Sequence, residues 1–143
     1  MKKILVPVDG SSNSMRAVKF ALAEAKHAPV SIHLLHVMAA FDDYGMMRAY
    51  ISKPQGDRLM RARAADILKR AAAPVRKAKV DFETHIAGGD TEVASRIADA
   101  ARRLRCHSIV MGTRGMGSLG NLVLGSVATK VIHATRFPVT LIK

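Results

Sequence analysis

Short apolar runs alternate with longer stretches of helical period along the whole chain. KILVPV (3–8) is rich in branched residues, VSIHLLHVM (30–38) reads as a second strand, and VDFETHIAG (80–88) alternates like a strand open to water on one side. HSIVMG (107–112), which reads as buried, and FPVTLIK (137–143) bring the strands to five. Between them, MRAVKFALAEAKH (15–27) puts Met15, Val18, Leu22 and Ala25 on one stripe. A second helical stretch runs from about Asp57 to Ala72 and is expected to end near Pro74, because proline disfavours a helical residue before it. Gly88 and Gly89 turn the chain, Asp90 is placed to cap a third helix, and Val93, Ile97, Ala100, Ala101 and Leu104 form its apolar face. SVATKVIHAT (126–135) is the fourth helix, and residues 39–56, without a clean period, read as a loop.

The order βαβαβαβαβ means an α/β fold: a mostly parallel sheet, right-handed crossovers, and helices on both faces. Residues 1–143 form a single three-layer doubly wound domain, long enough for a real core and with no internal repeat or linker. No apolar run approaches the roughly 18 to 20 residues that span a bilayer. The start, MKKILVPVDGSS, is expected to be a first strand rather than a signal peptide, since Asp9 cuts the apolar part well short of the roughly 7 to 15 residues required. One cysteine, Cys106, excludes an internal disulfide and makes the reducing cytoplasm the expected compartment.

The formal charge of +12 favours anionic partners and raises nucleic acid as a function class. The 23 Lys and Arg are nevertheless spread along the chain, and aromatic residues make up only 4%, which supports no base-stacking surface. A solvated basic surface is the expectation, and nucleic-acid binding the lesser alternative.

Half of the ten glycines (Gly112, Gly115, Gly117, Gly120 and Gly125) fall between residues 111 and 126, at a strand-to-helix connection. Glycine permits positive φ and removes the β-carbon, so backbone N–H groups can approach an anion, and a following helix adds unpaired N–H groups with partial positive charge. A phosphate cradle is the expected use. Gly115, Gly117 and Gly120 spell the dinucleotide pattern G-x-G-x-x-G, but it follows the fourth strand and the later acidic residue is missing. Gly120 and Gly125 begin a P-loop, yet Ser126-Val127 replaces its Lys-Ser/Thr, which rejects a Walker-type motor.

The remaining spacing, Gly112-x2-Gly115-x9-Gly125-Ser126, resembles the ATP-binding signature of the universal stress protein family. So do Val6-Pro7-Val8-Asp9-Gly10-Ser11, the run Ile109 to Gly115, and Phe137-Pro138-Val139, so that the likeness covers essentially the whole chain. The resemblance implies a strand order of 3-2-1-4-5 and an adenosine held between strands one and four. It implies that Asp9 bonds the ribose hydroxyls, Pro7 and Val8 wall the adenine, and Val37 offers backbone groups to the base. Met111 and Gly112 would lie under the sugar. Arg114, Gly115, Gly125, Ser126, Val127 and Ala128 would meet the phosphates, with any Mg²⁺ or Mn²⁺ arriving on the nucleotide. It also implies a homodimer through the edge strand 137–143 and a regulatory or stress-protective role exerted on a further protein partner.

Other readings of the same residues stay open. Asp9 is also placed to cap the helix after it, with Ser11 or Ser12. Met111 and Val37 suit a plain core, and the glycines suit a tight helix–sheet approach in a nucleotide-free dimeric adaptor. Ala128 lacks the hydroxyl of some relatives, and His107 stands where an Asp often opens strand four. His33 and His36, three apart on a strand, point to opposite faces and make no metal pair. Cys106-His107 and Asp42-Asp43 also suggest no metal, and no nucleophile–base set is evident, so at most slow ATP hydrolysis is expected.

Overall fold

Ile4, Leu5 and Val6 are all buried, a run that only a strand covered on both faces can satisfy, and it lies at the centre of the sheet. The structure, a computed structural model, describes residues 1–89, 91–115 and 124–143. Its elements run β1 (Lys2–Pro7), α1 (Ser12–Glu24), β2 (Val30–Val37), a 3-10 helix (Phe41–Ala49), α2 (Lys53–Lys77), β3 (Asp81–Ala87), α3 (Val93–Arg103), β4 (Ser108–Gly112), α4 (Ser126–Ala134) and β5 (Val139–Ile142). The five strands are parallel in the order β3-β2-β1-β4-β5.

Alternation along the strands sorts the core into two layers. Ile4, Val6, Ile32, Leu34 and Val110 face α1 and α2, where they meet Val18, Ala21, Ile67, Leu68 and Val75. Leu5, Leu35, Ile109 and Met111 face α3 and α4, against Ile97, Ala101, Ala128 and Val131. The register sets Leu5 beside His33 and Ile109, which keeps each layer continuous across the strands.

Three sequence expectations change. α2 begins at Lys53 because Ser52 and Gln55 exchange side chain–backbone bonds at its start. It also passes through Pro74 to Lys77, since Val75 beyond the proline is fully buried and its packing outweighs the local preference. Lys79, at φ 56°, then ends the helix in the left-handed region. The segment read as a loop contains the 3-10 helix, whose tighter bonds leave no 3.6-residue apolar stripe to read. Asp90 lies outside the described residues; α3 has Glu92 at its N-cap without a side-chain cap bond, and the Glu92 carboxylate pairs instead with the Lys130 ammonium of α4.

Candidate functional site

The winding reverses between β1 and β4, since β1 leads through α1 to β2 on one side and β4 leads through α4 to β5 on the other. Such a reversal leaves a crevice beyond the carboxyl ends of the strands, and a cavity of about 620 Å³ opens there. Its walls come from the ends of β1, β2 and β4, the first turn of α4, and one face of α3.

All twelve residues singled out from the sequence line this cavity: Pro7, Val8, Asp9, Val37, Met111, Gly112, Arg114, Gly115, Gly125, Ser126, Val127 and Ala128. Ser14, Val93, Ile97 and Thr113 complete the lining. Val93 and Ile97 read in the sequence only as the core face of α3; their place at the cavity depends on how α3 packs, which periodicity does not encode. Thr113, inside the G-x2-G spacing, was signalled by its position alone. The lining is apolar around Val8, Val37, Ile97 and Met111, and Asp9 and Arg114 are the only charged side chains among the described residues of the wall. The large positive charge of the chain is therefore carried elsewhere.

The three signature glycines do different work, and none of them has φ in the left-handed region. A β-carbon on Gly112 would lie 2.9 Å from Asn13 Cβ and 3.0 Å from its carbonyl carbon, so this glycine admits the start of α1 against β4. A β-carbon on Gly115 would lie 2.6 Å from Asp9 Oδ2, so here the bare backbone leaves room for a carboxylate inside the cavity. One on Gly125 would come within 3.1 Å of the Thr113 carbonyl oxygen, which accepts the short bond from Gly125 N–H that closes the cradle. The missing side chain, not unusual φ, is what the spacing provides.

Asp9 is held by its other oxygen: Oδ1 accepts the Ser11 N–H at 2.9 Å. Ser11, not Asp9, caps α1, its hydroxyl accepting the Ser14 N–H at 3.1 Å. The turn thus anchors one carboxylate oxygen and sets the other against Gly115. Facing it is the start of α4, capped by Gly125, which has no side chain to occupy the N–H groups of the first turn. Ser126 and Val127 are exposed there, and Ala128 is buried beneath them. An exposed helix start of this kind attracts anions through its free N–H groups and its dipole.

The remaining sequence candidates lie outside this wall. Gly117 and Gly120 of the dinucleotide pattern fall outside the described residues. His107 sits at the opposite end of the sheet, where its backbone N–H bonds the Lys3 carbonyl at 2.8 Å and Nδ1 accepts the Lys3 N–H at 3.1 Å. Cys106 is buried, and burial pushes its thiol up to about 11, so it presents no thiolate at neutral pH. His33 and His36 do take opposite faces: His36 Nδ1 bonds the Val8 carbonyl at 2.7 Å, while His33 meets His85 of β3.

A model of the universal stress protein family matches residues 1–143. The chain belongs to that family. A universal stress protein of Methanocaldococcus jannaschii is 30% identical over 99% of this chain and 82% of its own length. The solved structure of a universal stress protein from Lactobacillus plantarum has a TM-score of 0.83 at 23% identity, over 99% of this chain and 97% of that one, and shares the fold. One from Archaeoglobus fulgidus, solved in complex with dAMP, has a TM-score of 0.73 at 26% identity, over 100% of this chain and 98% of its own. With the family assigned, the Gly112–Ser126 spacing of this universal stress protein stands on a fold that has the matching crevice.

Proposed function

We propose that this universal stress protein binds ATP in the crevice between β1 and β4 and acts as a nucleotide-responsive regulator or stress-protection factor. The observation that carries the reading is the polarity of one cavity: an apolar wall at Val8, Val37 and Met111, and the open first turn of α4 at Ser126 to Ala128. The first suits an adenine ring and the second a phosphate chain. Asp9, fixed by Ser11, is an acceptor for ribose hydroxyls. The relative solved with dAMP supports an adenine nucleotide as the ligand class. Mg²⁺ or Mn²⁺ would arrive on the phosphates, since among the described residues the wall offers a single carboxylate, Asp9.

The working form in this reading is a cytoplasmic homodimer. β5 is an edge strand, half-buried along its length, and an uncovered edge of apolar and β-favouring residues is best satisfied by a second copy. Bound nucleotide would then alter the surface seen by a protein partner. Hydrolysis is slow at most in this reading, because Asp9, the only acidic group of the wall among the described residues, has one oxygen committed to the Ser11 N–H.

Calorimetry with ATP, ADP and AMP on the wild type and on a Gly115→Val, Gly125→Val double variant tests this. Affinity should fall at least about tenfold in the variant, about 1.4 kcal/mol, with its circular dichroism unchanged. Equal affinity in both proteins defeats the cradle. Absence of binding heat and of a thermal shift in the wild type would favour the nucleotide-free adaptor.

A further inference from the structure

His33 is 1% exposed in the layer that faces α3 and α4, and nothing in the nucleotide cavity uses it. The register sets Glu83 directly across from it and His85 two residues further along the same strand, so the three side chains share one face of the β2–β3 edge. His33 Nδ1 lies 2.9 Å from His85 Nε2. The ring centres are 5.2 Å apart with planes 10° from parallel, a separation that leaves little beyond the two ring radii and the N···N distance. The nitrogens therefore meet almost head-on, sharing one proton, rather than lying in stacked rings. Glu83 Oε2 stands beside this bond, 4.0 Å from His33 Nδ1 and 3.8 Å from His85 Nε2.

We propose that His33, His85 and Glu83 form a binding site for a divalent cation of the zinc class at the β3 edge, separate from the nucleotide cavity. The three donor atoms lie within 4.8 Å of one another. A four-coordinate ion with bonds of about 2.0–2.1 Å sets its ligand atoms about 3.4 Å apart, and the observed edges of 2.9, 3.8 and 4.0 Å bracket that value. To bind, the His85 ring turns out of line with His33 so that both lone pairs converge, and the carboxylate moves in. The parts that must move are those free to do so: His85 and Glu83 stand on an edge strand, with side chains 17% and 61% exposed, while His33 is the fixed point.

Burial holds both imidazoles below their ordinary value, which keeps them neutral, the form a metal requires. Among the described residues His33 Nε2 has no partner, so an ion on Nδ1 would leave the Nε2–H buried without an acceptor, a cost that the metal bond must offset. Two imidazoles and one carboxylate favour zinc, copper or nickel over the oxygen-seeking Mg²⁺ and Ca²⁺. Lys3 and Arg103 oppose a cation here and Asp81 favours it, so the site depends on the charge of Glu83. His33 is four residues before Val37 of the cavity wall, about 13 Å along β2 at the rise of an extended strand.

The full chain, stripped of metal with a chelator, is titrated with Zn²⁺ by calorimetry and with Co²⁺ followed by visible absorption. Saturation at one ion per chain is expected, with the intense bands of a tetrahedral cobalt centre. Glu83→Gln, on an exposed side chain that leaves the fold intact, should weaken zinc at least about tenfold, and His85→Asn should abolish the cobalt bands. Added Zn²⁺ should raise the thermal midpoint of the wild type, and raise that of Glu83→Gln by less at the same concentration. No saturable binding, or equal affinity in wild type and Glu83→Gln, overturns the proposal, the latter by assigning the ion to other histidines. ATP affinity measured in the Glu83→Gln variant should be unchanged, which separates this test from that of the nucleotide site.

Discussion

Gly112→Ala adds one methyl group where the start of α1 presses on the end of β4. The new carbon would stand 2.9 Å from Asn13 Cβ and 3.0 Å from the Asn13 carbonyl carbon, inside any normal contact distance. Neither atom is the tip of a flexible side chain, and α1 is pinned behind them by Ala17, Val18 and Ala21, all fully buried. Either the helix or the strand end must shift, and overpacking of this kind costs about 1–3 kcal/mol. Replacing glycine with alanine at an allowed backbone conformation returns about 0.4–1 kcal/mol by restricting the unfolded chain. The net loss is therefore about 1.3 kcal/mol at mid-range, within bounds of about 0–2.6 kcal/mol, a fall in thermal midpoint of about 4 °C at mid-range for a domain of this size. Differential scanning calorimetry reads it directly. Gly115→Ala is the control: among the described residues its methyl would meet only the Asp9 carboxylate, and relieving that contact disturbs the carboxylate and its Oδ1 bond to the Ser11 N–H rather than shifting a helix, so the midpoint should move by less than the Gly112 variant's. A Gly112→Ala protein as stable as the wild type would refute the view that this glycine is there for helix–strand approach.

Two further outcomes are expected. The Cys106 thiol is raised from 9.0 to about 11 by burial, so the folded chain holds that proton more tightly than the unfolded one. Its contribution to stability is complete below pH 9 and is lost as the pH rises toward 11, so urea titrations at pH 8 and pH 10 should show a steeper loss in the wild type than in Cys106→Ala; equal slopes would contradict it. If the chain pairs through β5 as proposed, Thr140→Lys places a charge on that edge strand and should halve the dimeric molar mass measured by light scattering, whereas an unchanged dimeric mass would count against β5 as the interface.

Much of the fold was open to reading because each element carries its own period. The doubly buried run at Ile4 to Val6 and the amphipathic face from Val93 to Ala101 needed no neighbours to be recognised. The errors fell where a distant contact outvoted a local rule. Pro74 is a helix stop by its chemistry, and α2 runs through it because Val75 has a core to enter. The 3-10 helix at 41–49 has no period that would distinguish it from a loop. At the site, the glycine spacing from Gly112 to Gly125 marked the cradle, since missing side chains leave a trace in composition, while Pro7, Val8, Asp9, Val37 and Met111 were marked by the family resemblance. Ser14, Val93 and Ile97 left no such trace, being ordinary helix residues until α1 and α3 dock.

The sequence alone determined the five strands, the four α-helices apart from the ends of the second, that the sheet is parallel, and where side chains are missing; these follow from local periodicity and from the chemistry of glycine. Only the tertiary structure decided what each missing side chain makes room for: α1 at Gly112, the Asp9 carboxylate at Gly115, a carbonyl at Gly125. It also decided that His33 meets His85, 52 residues away, rather than His36. Strand register is set by how whole faces pack against helices, and no window of sequence contains that information.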